Sequence, residues 1–486
     1  MNSLEEDELP GELSRYERAV LYHGAIWFFL ILLSYYILRP IREQIGSTYG
    51  LKNLSWLFWV TFLVMLVAIP LFSYLVGKFD RQKLVPLIYA FFIAGLIGFW
   101  AAMSWLPDHL QIWVARSFFI WIAVFGLFIV SFFWSVTGDM LSTEQGRRIF
   151  GVIAGCGTVG SLIGSSAATL LVAKIGVANL LLIPTVLLLV AMFVYLSLER
   201  SYRRHAPPGA STVGSATGGN PFAGFTAVLK SRFLFAIALF GLLMATCGTT
   251  VYFQQAEIVN NTYSNMPVSD DEVEELAKTI AHQRAAAIPN DNQDTDEKVN
   301  VEDRETAKLR LQKQASDNAR TSYFARVNFA VSIVAMFIQF VLASYVMRKI
   351  GIGWTLAILP LTFVAAITLL ALSPTIAAVA VVATLGRAVE YGFCNPAREV
   401  LYTVVNREER YKAKSFIDTV VRRGGDSAAG SVYQGLRESA GIAMTTLTWS
   451  VIPFAIAWAG LSLFIGRENS KLAEQQETEL PSPEST

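Results

Sequence analysis

Residues 415–439 read SFIDTVVRRGGDSAAGSVYQGLRES, and their interpretation decides the fold. They lie between two strongly apolar blocks, Ile376–Phe393 and Ile442–Ile465. The segments flanking this pair of blocks both have the character of the same, cytoplasmic side, so the chain must cross a bilayer once more between them. Inside hydrocarbon the backbone has to satisfy its own polar groups. A polar crossing is therefore a helix, shielded by neighbouring helices or facing an aqueous cavity. We read 415–439 as such a helix rather than as a long loop, and it becomes the eleventh of about twelve.

Working outward, nine more apolar blocks precede this pair: Ile26–Leu38, Trp56–Val76, Leu84–Leu106, Ile112–Val136, Phe150–Val172, Leu180–Leu198, Phe233–Phe253, Phe329–Met347 and Leu356–Leu372. Some need their less apolar flanks to cross roughly 30 Å of hydrocarbon. The composition agrees: 53% of the 486 residues are hydrophobic and 16% are charged, where a soluble domain carries about a quarter charged. The expected fold is an all-α membrane protein of about 12 transmembrane helices in two six-helix halves, with the lipid bilayer as its first partner.

Positive charge is sorted by side. Lys78, Arg81 and Lys83 follow the second block, Arg147 and Arg148 the fourth, and Arg200, Arg203 and Arg204 the sixth. Arg348 and Lys349 follow the eighth block, and Arg407, Arg410, Lys412 and Lys414 the tenth. The alternate short connections, 107–111 and 373–375, are almost free of Lys and Arg. The positive-inside rule then places both termini in the cytoplasm, with a bacterial cytoplasmic membrane as the expected location. The N-terminal MNSLEEDELPGEL has no basic n-region and does not read as a cleavable signal. A net charge of +1 carries no signal for nucleic acid, and no nucleic-acid partner is expected. Cys156, Cys247 and Cys394 are unpaired in spacing, and the four His are scattered. No disulfide, metal site or cofactor is expected.

The expected organisation is a tail at 1–20, a first half at 21–199, a Pro/Gly/Ser-rich linker at 200–232, a second half at 233–466 and a tail at 467–486. Within the second half, 257–322 reads as an external, solvated insert with some helix. The halves echo one another: TEQGRRIF precedes a small-residue helix in the first, and REERYKAK precedes another in the second. Parallel six-helix repeats build the major facilitator architecture.

Gly155, Gly157 and Gly160 spell the dinucleotide pattern GxGxxG, but they lie within an apolar span with no strand before them, so close helix packing is the better account. Gly77-Lys-Phe-Asp80-Arg81-Gln-Lys83 resembles, in shortened form, the Gly-x-x-x-Asp-Arg loop of the major facilitator superfamily. That resemblance implies a latch role for Asp80 and Arg81; ordinary positive-inside charge is the other account of them.

Charge within the spans is the main functional signal. Arg39, Arg42 and Glu43 fall near the outer end of the first helix and Arg116 near that of the fourth. Arg387 and Glu390 fall mid-way along the tenth, and Asp418, Arg422, Arg423 and Asp426 along the eleventh. Such groups face a cavity or one another; Arg387 and Glu390, three apart, can also pair structurally on one helix face. The arginines outnumber the acids. Because guanidinium grips carboxylate and phosphate with two parallel bonds, the set suits a small anionic solute. Proton coupling, if present, falls to Glu43, Glu390, Asp418 or Asp426.

The run Gly386–Asp426 resembles the corresponding region of the ATP/ADP translocases of plastids and of chlamydial and rickettsial bacteria. Pro396, Arg398-Glu399, Tyr402 and Asp418 stand where that family has its proline, Lys-Glu, tyrosine and aspartate. Tyr36-Ile-Leu-Arg39-Pro-Ile-Arg42-Glu43 resembles its first-helix motif, with Arg42 in place of a functional lysine. The resemblance implies twelve-helix nucleotide exchange. On the charge reading Arg39, Arg42, Arg116, Arg387, Glu390, Arg422 and Arg423 are the candidate substrate residues. Gating or coupling then falls to Glu43, Asp80, Arg81, Arg398, Glu399, Asp418 and Asp426. Three sites depart from the family: Asp426 replaces a lysine, Glu390 stands where a lysine is usual, and Ile120–Val124 lacks an expected glutamate. A smaller or less charged substrate fits those changes.

The expected function is alternating-access transport of an anion, with nucleotide exchange as the form the resemblance implies, by a monomer that is not an enzyme. A proton-coupled or efflux carrier of another metabolite, and a non-transporting sensor or assembly protein using the 257–322 insert, stay open as alternatives.

Overall fold

The computed structural model describes residues 14–79, 81–141, 143–205, 223–287, 299–405, 413–414 and 416–479. The described chain is helical, with no strand among the described residues. The first half comprises α1 (Arg15–Thr48), α2 (Gly50–Lys78), α3 (Arg81–Trp105), α4 (Asp108–Asp139), α5 (Thr143–Leu180) and α6 (Leu182–His205). A short helix, α7 (Ala223–Lys230), lies within the stretch read as linker. The second half continues with α8 (Arg232–Tyr263), α9 (Asp270–Ala287), α10 (Val301–Phe337), α11 (Ala343–Leu372), α12 (Ile376–Val389), α13 (Asn395–Leu401), α14 (Arg422–Gln434) and α15 (Met444–Glu479).

Eleven helices among the described residues are long and apolar enough to cross a membrane. The polar stretch supplies one more: a π turn at Ile417–Val421, α14, and a second π turn at Gly435–Ser439 run on continuously. This helix packs between α8 and α2, as a polar crossing must be shielded. The buried apolar residues form two clusters, one essentially of α1–α6 and one of α7–α15, so each half has its own core. Large apolar side chains such as Val67, Leu87, Phe91, Leu170 and Phe340 point outward. A surface so apolar suits lipid, not water.

The glycine-rich run does not open a phosphate loop; it lies inside α5, packed on α1. A Cβ at Gly160 would sit 2.4 Å from the carbonyl oxygen of Phe29, and one at Gly164 2.6 Å from that of Leu33. Only glycine lets the two backbones approach so closely. At Gly176 and Gly351 the helical geometry breaks with φ of 78° and 79°, a conformation favouring glycine.

Much of the stretch read as an insert with some helix is helical, and its first residues continue α8 as far as Tyr263. Glu257 belongs to α8, where it pairs with Arg437 at 2.7 Å. Beyond it α9 lies against the first turns of α10, joined by Arg284–Asp303 at 2.9 Å and Arg304–Glu274 at 2.8 Å. A capping box of Asn300 and Asp303 starts α10, which runs unbroken from the insert into its span.

Candidate functional site

Helical periodicity gathers the intramembrane charge. On α1, Tyr35, Tyr36, Arg39, Arg42 and Glu43 fall three or four apart and share one face; on α12 and its extension Ala383, Gly386, Arg387 and Glu390 do the same. With the helix around α14, these faces enclose a cavity of about 980 Å³ between the halves. Its walls come from α1, α2 and α4 on one side and α8, α12, α13 and α14 on the other. Glu390 and Asp418 sit on π turns, at Glu390–Cys394 and Ile417–Val421. Such turns recur where a side chain must be aimed.

With an even number of crossings, both termini share one face. The cavity is shut towards the opposite face. There Glu43, 2% exposed, binds Arg39 of its own helix at 3.2 Å and Arg387 of the other half at 3.1 Å. Asn328 donates to its second oxygen at 2.9 Å, and Arg387 donates in turn to Asn328 and Gln255. Arg39 reaches across to the Tyr391 hydroxyl at 3.3 Å. One layer further out, Gln44 donates to Asp317 at 2.7 Å and Arg320 to Thr48 at 3.1 Å. Both layers tie α1 to the second half.

Towards the termini the charge pairs at the cavity, among the described residues, join groups of the second half to one another. Arg422 pairs with Glu390, Arg398 with Asp418 at 2.5 Å, and Lys414 with Glu399 at 2.7 Å. The Glu399 side chain is 64% exposed and that of Asp418 38%. The cavity therefore opens on the face that carries the termini.

The structure brings together Arg39, Arg42, Glu43, Arg387, Glu390, Arg398, Glu399, Asp418, Arg422, Arg423 and Asp426 around this one cavity. It does not bring Arg116 there. That guanidinium lies over the rings of Trp113, at 4.8 Å, and Trp56, at 5.4 Å, and bonds Asn53 at the rim opposite the termini. Arg387 pairs with Glu43 and Glu390 with Arg422, so the sequence-local pairing of Arg387 with Glu390 is not the one formed. Asp80 and most of the 408–414 loop lie outside the described residues, and Arg81 opens α3. Asn328, Gln255 and Tyr391 were missed from the sequence. The first two are amides embedded in apolar runs, and that is the signal that could have found them.

Two cored halves around a charged central cavity, closed on one face and open on the other, define a membrane transporter that moves a small solute. The chain belongs to the Major Facilitator Superfamily, whose profile matches residues 24–268, just over half of it. No curated protein matches the sequence. Among solved structures the chain is similar to the nucleoside transporter NupG, with a TM-score of 0.52 at 13% identity over 94% of this chain and 99% of that one. It is also similar to a bacterial homologue of the iron transporter ferroportin in its inward-facing state, with a TM-score of 0.57 at 12% identity over 93% and 98%. At such identities the likeness is one of fold.

Proposed function

We propose that this transporter carries an organic anion by alternating access across a bacterial cytoplasmic membrane, with both termini in the cytoplasm. The observation that carries the proposal is the charge of the cavity wall, where six arginines line the same space as five acids. One of those acids, Glu399, is already held by Lys414 at the mouth. Surplus guanidinium in a low-dielectric site calls for a mobile counter-anion. In this account Arg39, Arg387 and Glu43 form the gate opposite the termini, and Arg398, Glu399, Asp418 and Lys414 work at the open mouth. The halves follow the boundaries 21–199 and 233–466. The resemblance to ATP/ADP translocases makes nucleotide exchange the first substrate to test. The acid at 390, paired with Arg422, and the acid at 426 favour a less charged solute than that family takes.

A proton-coupled carrier is the second reading. It is favoured by Asp426, whose carboxylate accepts from the Thr249 hydroxyl at 2.9 Å and has no guanidinium within 4.0 Å among the described residues.

The test is uptake of labelled ATP, ADP and a panel of organic anions into proteoliposomes, with and without internal counter-substrate and with a pH gradient. Nucleotide uptake that needs internal nucleotide establishes exchange. Uptake driven by the pH gradient and lost in Asp426→Asn establishes coupling. Silence across the panel from folded protein overturns the proposal and favours a non-transporting role.

A further inference from the structure

Most guanidinium groups around the cavity are satisfied. Arg39 and Arg387 share Glu43, Arg422 holds Glu390 and Arg398 holds Asp418. Two differ. Among the described residues, neither Arg42 of α1 nor Arg423 of α14 has a carboxylate within 4.0 Å or a hydrogen-bond acceptor for its guanidinium, and the Nε of Arg42 is buried without a partner. They come from opposite halves, and both line the cavity. Asp426 offsets part of the charge on Arg423, its neighbour three residues back, while bonded to Thr249.

Three more cavity-lining atoms are buried without partners: the hydroxyls of Thr61 on α2 and Tyr252 on α8, and the Nε of Arg398, whose other nitrogen already holds Asp418. Packing around α1 places the Tyr252 hydroxyl near Arg42. The Arg42 guanidinium lies 4.1 Å from the Phe119 ring, and a Cβ at Gly46, one turn further along α1, would meet both that ring and the Tyr252 hydroxyl at 3.1 Å. Thr61 lies one turn along α2 from Phe58, whose ring is 5.7 Å from that of Tyr252. Buried polar atoms are rarely left unpaired, and side chains with unused bonding capacity converging on one cavity signal an absent partner.

Building on the anion-carrier proposal, we propose that Arg42, Thr61, Tyr252 and Arg423 form one subsite for a tetrahedral oxyanion of the phosphate type, shared between the halves. Two guanidinium forks and two hydroxyls offer more donors than the two oxygens of a carboxylate can take up, whereas a phosphoryl group presents three terminal oxygens. The subsite also couples binding to movement. An anion held between Arg42 and Arg423 draws charges of opposite halves to a common centre.

The test is thermal melting of the full-length protein in detergent, titrated with inorganic phosphate or with acetate, for wild type, Arg42→Gln, Arg423→Gln and Thr61→Val. Phosphate is expected to stabilise wild type more than acetate does. The phosphate midpoint should move about tenfold or more in either arginine variant and a few-fold in Thr61→Val. Without anion the two arginine variants should melt at or above wild type, since each removes a cavity guanidinium that has no carboxylate within 4.0 Å among the described residues. Equal phosphate response in all four proteins, equal response to phosphate and acetate, or a marked loss of stability in the anion-free arginine variants overturns the subsite while leaving the anion-carrier reading in place. Failure of wild type to respond to phosphate, acetate or any anion of the transport panel overturns both.

Discussion

Glu43 of α1 and Arg387 of α12 meet across the two halves at 3.1 Å, and Glu43 is also bound by Arg39 and Asn328. One carboxylate thereby joins three helices. For the face opposite the termini to open, this contact has to break. Its rupture would leave two arginines without their acid, so the proposed gate is expected to open most easily when another anion takes that acid's place. Glu43→Gln should lower stability by about 3 kcal/mol, because two buried guanidinium groups lose their counter-charge. Melting of the variant checks this, and a change below about 1 kcal/mol would mean that water already solvates the pair.

The exchanged pair Glu43→Arg with Arg387→Glu should recover part of that loss. The coupling energy from a double-mutant cycle is the quantity to measure, expected at about 1–3 kcal/mol. Simple additivity would show that the two residues do not communicate.

Arg116 should behave differently from the cavity arginines. Its partners are Trp113, Trp56 and Asn53, so Arg116→Ala is expected to cost about 1 kcal/mol of stability and to leave the apparent KM for the transported anion unchanged. A KM shift as large as that of Arg387→Gln would return it to the substrate path.

The α1–α5 contact gives a packing test. Gly160→Ala pushes a methyl against the fixed backbone of Phe29 and should destabilise by about 1–3 kcal/mol or more. Gly98→Ala, with open space around its Cβ position, should be neutral or slightly stabilising. Comparable melting of the two variants would contradict the close approach.

Ordering of the insert rests partly on its cap. Asn300→Ala removes the side chain that accepts from the Asp303 backbone N–H at 2.8 Å and should cost about 1 kcal/mol locally. Hydrogen exchange over the first turns of α10 reads it directly, with transport expected to persist.

The architecture was legible because lipid demands long apolar runs, and the polar helix at 415–439 was legible through topology. Its first and last turns are π turns, which no periodicity in the sequence marks. The wiring was not legible. Arg387 finds Glu43 more than three hundred residues away, while Glu390, on the same helix face, finds Arg422. Long-range pairing is set by packing, not spacing. Arg116 shows the same limit from the other side: in sequence it is one more arginine near a helix end, and only the tryptophans around it show that it serves the rim.

The most direct measurement of the central claim is uptake into proteoliposomes of solutes matched in shape and differing in charge, such as a nucleoside monophosphate against its nucleoside and a carboxylate against its amide. The account predicts that the anion of a pair is taken up by at least about tenfold over its neutral partner, and that Arg387→Gln and Arg423→Gln abolish the difference. Preferential uptake of the neutral partners by folded wild-type protein would contradict it.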